Sequence, residues 1–481
     1  EESADEDTIR FDIAGAEDFT MTANSFNVLS GSSILSAGTI DMNGTELILD
    51  ADADTTITAD TDDQIDIKIA GADDFQFTAN DFTALSGSTI STNTIAETTS
   101  GSGVTIDGLL IKDGAVNNVA GKNLIRNGSM AIAQRPSQTG MASGYGACDG
   151  WQIMSLSGAP ARYTISQESS GGVGGNSKWN KILVTTADAN PAAADTHYYG
   201  QKMEGNSVQT LLDSSGDLQA CTMSFDVLVH ADGASSISFP ATLVIFVNDH
   251  GFDGQQYAKT FTVTSNDTWQ RVSVPIAANT NIVINNDTSD EFSVGVTIYA
   301  GSGKVISDAT WGSAAGLDTS VSGAENLADV VNNYLGLTNV QLEVGSVATD
   351  FEHEPVSVTL AKCQRYLHRL TEDYPIATAS KFVGKGFAAS TTVGIIDFFY
   401  PVPMRAIPTR TISAVADLSM SQDKQESLQP VTSDSGNYGW SDELMMTSAF
   451  TASGGGMTAE VPTQLFLENG SAGFIQFSAE L

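Results

Sequence analysis

Apolar and polar positions alternate along much of this chain. At Ile9 the stretch IRFDI sets Ile9, Phe11 and Ile13 to one side and Arg10 and Asp12 to the other. A period of two predicts half-buried strands. After an AGAED turn the alternation resumes at Phe19 and Met21 and closes on LSGS, and the same order of features returns from Ile65. IRFDIAGAEDFTMTANSFNVLSGSSI and IDIKIAGADDFQFTANDFTALSGSTI are identical at 16 of 26 positions, at a constant offset of 65 − 9 = 56. Each copy predicts short strands broken by Gly and Asn turns, with an apolar stripe too narrow to make a core alone. Such units stack on neighbours or on other chains. A closed symmetric oligomer would bury each chain's stripe against the others, so residues 1–100 are read as a repetitive β-shaft.

A Ser, Thr and Gly-rich bridge, STNTIAETTSGSG, follows, and VTIDGLLIKDGAV reads as strand-turn-strand within a linker over 101–122. From Asn123 strand candidates come in succession without alternating helices: TMSFDVLVHA, ATLVIFVND, YAKTFTVTS, WQRVSVPIA, EFSVGVTIYA and LTNVQLEVG. That order predicts an antiparallel sandwich or jelly roll over 123–354. One stretch has helical spacing: in PVSVTLAKCQRYLHRL, with Pro355 near its start, Leu360, Cys363, Tyr366 and Leu367 share a face and Arg365 and Arg369 lie toward the C-terminal end. It predicts a connecting helix near 356–369, within a segment 355–373. Short strands around PVPMRAIP then predict a small C-terminal β-domain, 374–481. The fold class is all-β.

Charge narrows the partners. The net charge is −37, and residues 1–100 carry 21 acidic and 2 basic side chains, which supply 21 − 2 = 19 of those negative charges. Such a surface argues against nucleic acid. No apolar run is long enough to span a bilayer, and the opening EESADED does not resemble a signal peptide. Cys148, Cys221 and Cys363 are odd in number and lack metal-ligand spacing, so they read as buried or free thiols.

Asp50, Asp52 and Asp54 are spaced as the first ligands of a calcium hand, but Thr55 and Thr61 stand where its Gly and Glu belong. No catalytic motif is present, and His250, flanked by Asp249 and Asp253, reads as turn chemistry. No catalytic residue, metal ligand or cofactor is assigned. Glycan binding needs exposed aromatic faces beside amides and carboxylates. Trp151, Trp179 and Trp269 are read as structural. Trp311 in DATWGSAAG, the Tyr198–Tyr199 pair in DTHYYGQ, and Tyr438 with Trp440 in NYGWSDE are the candidates for a loop-borne platform.

At NLIRNGSMAIAQR, ACDGWQI, GQKMEG, VQLEVGSVATDFEHEPVSVTLAKCQRY and FIQFSAEL, residues 123–481 resemble the distal part of bacteriophage tail-fibre proteins. The first block is similar to a jelly-roll carbohydrate-binding module and the last to a fibre-tip domain. The resemblance implies a homotrimer on the virion tail, attached to other phage tail proteins, that touches host cell-surface polysaccharide. A non-catalytic receptor-binding fibre is the leading expectation. A polysaccharide depolymerase and a purely structural virion decoration are the alternatives. Modules of this kind often hold a structural calcium through an acid after the opening Asn-Gly and an Asp before the last strand, where this chain has NGSMAIA and Asn339.

Overall fold

The computed structural model describes residues 8–481 except 37, 44, 60, 93–94, 96–103, 107–108, 113–114, 117–120, 156–157, 159, 234–238, 248–253, 372–379, 424–426 and 469–472; for 104–106, 109–112 and 115–116 it describes the backbone. The chain divides into two compact units, Glu1–Ile95 and Ala96–Leu481. The class is all-β, with one α-helix among the described residues.

In the first unit the sequence repeat is a structural repeat. Ile9–Ile13, Ala16–Thr22 and Ser25–Val28 form a three-stranded antiparallel sheet. Ile65–Ile69, Ala72–Thr78 and Asp81–Ala84 repeat it at the same offset, and Leu47–Ile48 and Thr56–Thr58 extend it to five strands. Both copies turn through an Ala-Gly pair with positive φ at each residue, 55° and 84° at Ala14 and Gly15, 53° and 80° at Ala70 and Gly71. Those are the signs a tight hairpin turn needs to match strand twist. The LSGS motif also has a physical role. Ser32 Oγ donates to Asp18 Oδ1 at 2.7 Å and Ser88 Oγ donates to Asp74 Oδ1 at 2.8 Å, which ties the end of each unit back to its second strand.

Strand register decides where the apolar residues go. Ile9 faces Met21, Phe11 faces Phe19, and Met21 faces Phe26, so one face of the first sheet is continuous in apolar side chains. Ile65 with Phe77, Ile67 with Phe75, and Phe77 with Phe82 repeat the arrangement. Among the described residues of this unit the face is left open: Ile9, Phe11, Met21, Phe26, Ile65, Phe77 and Phe82 are 39% to 51% exposed.

In the second unit two antiparallel sheets form a sandwich. The six-stranded sheet runs Gln138–Met141, Arg162–Glu168, Trp179–Thr186, Tyr334–Val344, Cys221–His230, Gln270–Ile276. The seven-stranded sheet runs Gly144–Tyr145, Gln152–Ser155, Thr196–Glu204, Asp290–Ala300, Phe239–Val247, Gln255–Val263, Thr310–Ser313. All six strand candidates from the alternation are present. Trp151, Tyr163, Tyr199, Phe225 and Phe292 belong to the core of the sandwich. Segment 104–116 forms three short antiparallel strands, one more than expected.

The helix is shorter than its spacing predicted. It spans Val356–Gln364, and Leu367–Thr371 is a strand paired with Phe474–Ser478. Leu367 fits either period, and strand pairing both buries it and satisfies its backbone. The helix buries Thr359 and Cys363, four residues apart, while Leu360 is only half-buried. Arg369 accordingly lies on the strand, its Nη1 donating to Gln476 Oε1 at 3.0 Å and its guanidinium 3.7 Å from the centre of the Phe474 ring.

The C-terminal region closes a six-stranded barrel from Lys381–Ala388, Val393–Phe399, Met445–Ala452, Gln429–Ser441, Leu418–Ser421 and Pro462–Leu467. It is joined to the sandwich by polar contacts. Tyr145 Oη donates to the Leu481 carbonyl at 2.6 Å, Gln134 Nε2 donates to the Leu367 carbonyl at 2.6 Å, and Arg135 pairs with Glu480.

Candidate functional site

The aromatic candidates separate by burial. Tyr198 and Tyr199 are not in a loop: both lie on the strand Thr196–Glu204 and both are buried, which corrects the expectation of an exposed pair. Tyr199 enters the core, its ring stacked on Trp151 at 5.9 Å and its hydroxyl bonded to Asn180. Tyr198 points to the opposite face, which is also covered, and packs with Met154, Val244, Phe246 and Ala314. A side chain with no accessible face offers nothing for a sugar to stack on.

Trp311 is likewise on a strand, Thr310–Ser313 at the edge of the seven-stranded sheet, and not in a loop. Its Nε1 donates to the Ala277 carbonyl at 2.8 Å and its ring leans on Tyr257 at 5.1 Å, which leaves it half-buried. Trp151 is a core residue, and Trp179 and Trp269 meet edge to face at 5.5 Å, as structural tryptophans do.

Tyr438 and Trp440 remain. They lie on the long barrel strand Gln429–Ser441 and are 50% and 68% exposed. Gly436 and Gly439 have φ of 75° and 82°, and the pairing with Met445–Ala452 shifts register on both sides of Asn437. Irregular pairing of this kind re-aims side chains out of the regular alternation. Exposed Ser435 and Asn437, whose Oδ1 accepts from Ser441 Oγ at 2.8 Å, are nearby strand residues with hydroxyl and amide groups, while the Asp434 carboxylate is held by Arg410. Two exposed aromatics with such neighbours form a surface on which a pyranose C–H face can stack while its hydroxyls find partners.

The buried carboxylates have protein donors. Glu204, fully buried, accepts from Arg365 and from the Tyr366 hydroxyl. Asp149 accepts from Gln134 N at 2.9 Å and Gln134 Nε2 at 2.6 Å, and burial nevertheless pushes its pKa up to about 6. His197, buried between Tyr163 Oη and Ser155 Oγ, is pushed down to about 4, first by burial and then by Arg162. Cys148, Cys221 and Cys363 are all buried free thiols, with the Cys221 pKa raised by burial to about 12. His250 and its flanking aspartates lie outside the described residues.

Asp50, Asp52 and Asp54 come together, with one oxygen of each within 4.8 Å of the others, although the hand's Gly and Glu are missing. The calcium position suggested by the sandwich resemblance does not fit a cation. Asn339 turns its Nδ2 toward Asp226 Oδ2 at 2.7 Å and the Val173 carbonyl at 3.1 Å, and Arg271 stands 3.8 Å from the same carboxylate. An amide donor and a guanidinium already take the charge a metal would need.

No known protein-family profile matches the chain, and no curated protein does. Among solved structures it is similar to an arabinose-bound MgGH51 α-L-arabinofuranosidase, at 12% identity and TM-score 0.26 over 46% of this chain and 26% of that one. It is also similar to the enzymatically active domain of bacteriophage CBA120 tailspike protein 4, at 9% identity and TM-score 0.24 over 46% of this chain and 21% of that one. A family 11 carbohydrate-binding module of the Clostridium thermocellum cellulase Lic26A-Cel5E matches at 13% identity and TM-score 0.23, over 44% of this chain and 97% of that one. The chain thus spans about a quarter or less of the first two. Likeness at this level does not bear on what the chain does.

Proposed function

We propose that this chain is an oligomeric fibre protein of a phage virion that attaches to host-surface polysaccharide without cleaving it. The observation that carries the proposal is the uncovered apolar face repeated in both copies of the 56-residue unit. A unit that repeats such a face and leaves it open among its described residues is completed by further copies of itself, as a fibre is. The resemblance of residues 123–481 to tail-fibre sequence agrees with that. Binding is assigned to the exposed Tyr438 and Trp440 on the barrel strand. The donor-held states of Glu204 and Asp149 suit structural roles better than acid-base chemistry.

One solvent-exposed sugar site binds weakly. Several sites on one oligomer raise avidity by roughly 100- to 10,000-fold. The experiment is a glycan array probed with the intact protein, followed by incubation with each bound polysaccharide and sizing of the product. The proposal expects retention of one glycan class at unchanged chain length, weakened in the Tyr438→Ala, Trp440→Ala double variant. Shortened chains would make the protein a depolymerase; no retention on any glycan would leave a structural decoration.

A further inference from the structure

Where residues 121–126 meet the end of the helix Val356–Gln364, the surface opens into a cleft of about 290 Å³ whose lining includes Leu124, Ile125, Arg126, Met203, Lys362 and Tyr366. Arg126 is 8% exposed. Its guanidinium carbon sits 3.7 Å from the centre of the Tyr366 ring. On the other side it lies against Gly150, where an added Cβ would come within 2.8 Å of its Nε and Nη2; only a glycine leaves room for it there. Nε of Arg126 has no hydrogen-bond partner, and no described carboxylate forms an ion pair with the group.

The other two cations lining the cleft are already matched. Arg365 holds Glu204 in a two-point pair, the Tyr366 hydroxyl takes the same carboxylate, and Lys362 pairs with Glu354. Arg126 is therefore the lining cation without an ion pair, buried at the wall of a cleft, in a chain whose net charge is −37. Two carboxylates close by, Asp149 beside Gly150 and Glu352 on the Gly121 and Asn123 N–H groups, are held by neutral donors and make no ion pair with it. A buried cation without a partner is unfavourable, and an anion entering the cleft would relieve it with a charge-assisted hydrogen bond. Leu124, Ile125 and Met203 supply an apolar wall beside it. That combination suits a carboxylate carried on a ring with an apolar C–H face. The volume is near the lower end for small-ligand sites, roughly 300 Å³, which suits a single sugar residue.

We propose that this cleft binds a uronate residue, with the sugar carboxylate on Arg126 and its ring against the apolar wall. This rests on the reading of the chain as a glycan-binding fibre and names the class of glycan. A free inorganic anion would use the charge but not the wall, and a neutral sugar the wall but not the charge.

Calorimetric titration of the intact protein with methyl β-glucuronide, methyl β-glucoside, acetate and sulfate separates these. The uronide is expected to bind at least tenfold more tightly than the glucoside or acetate. Ser207, exposed on a short turn that lines the cleft, gives a variant that fills the site without touching the core. Ser207→Trp is expected to keep the wild-type melting temperature and weaken uronide binding by tenfold or more, and Arg126→Met to weaken it similarly. Uronide binding no tighter than acetate, sulfate or the glucoside, or binding untouched by Ser207→Trp, would overturn the proposal. A glycan array positive for neutral sugars alone would reject the acidic cleft and leave the fibre reading standing, whereas an array with no binding would reject both.

Discussion

Arg365 Nε and Nη2 donate to the two carboxylate oxygens of Glu204 at 2.9 and 2.7 Å, joining residues 161 positions apart in sequence. The pair fastens the residue just after the helix to a fully buried acid on a central strand of the sandwich. Removing the cation leaves a buried carboxylate with only the Tyr366 hydroxyl. Arg365→Met is expected to cost about 3 kcal/mol, while Arg365→Met with Glu204→Gln costs less than the sum of the two single changes. Denaturant unfolding of the three variants measures the coupling, and additive costs would mean that the contact is energetically idle.

The two repeats make the same bond, Ser32 to Asp18 and Ser88 to Asp74. Asp18→Ala and Asp74→Ala are therefore expected to weaken their own loops by about the same amount, roughly 1 kcal/mol each. Amide exchange at 29–32 and 85–88 reads this locally. Each variant should speed exchange in its own loop and leave the other alone.

His197 sets a pH dependence. Its folded pKa of about 4 lies below the ordinary value of 6.5, so between these the unfolded chain binds the proton more readily and stability falls with acid. The stabilisation is complete above pH 6.5 and is lost progressively down to about pH 4, a change of about 3 kcal/mol. Asp149, with its pKa raised to about 6, opposes this by favouring the fold as its carboxyl protonates on acidification. Melting curves of His197→Asn across pH 4 to 7 should lose the acid-sensitive component that wild type shows. An unchanged slope would mean that His197 is not held neutral.

Much of this architecture was legible because local residues repeat local contacts. The AGA turn, the LSGS tie and the alternating apolar positions of the repeat each correspond to a bond or a face in both copies. The sandwich strands were legible from alternation and from the turn residues between them. Tyr198 and Tyr199 were misread for a physical reason. The strand Thr196–Glu204 is covered on both faces, by the core on one side and by the 3-10 turn Ala314–Gly316 with Leu317 on the other. Burial there is nearly continuous, so no period appears and the DTHYYGQ segment resembles a loop. The helix end was misplaced because Leu367 satisfies both a helical and a strand period, and pairing with residues near the chain's end is invisible in a local window. Arg126 had no local signal, since its meaning depends on Gly150 and Tyr366 meeting around it.

Self-association through the repeated apolar face is the claim on which the fibre reading stands, and the mass of the intact protein in solution at micromolar concentration tests it most directly. Three copies are predicted for the wild type, and Phe11→Asp with Phe77→Asp, which places charge on the exposed face of each repeat, should shift the mass toward one. A wild-type mass of a single chain would contradict the account.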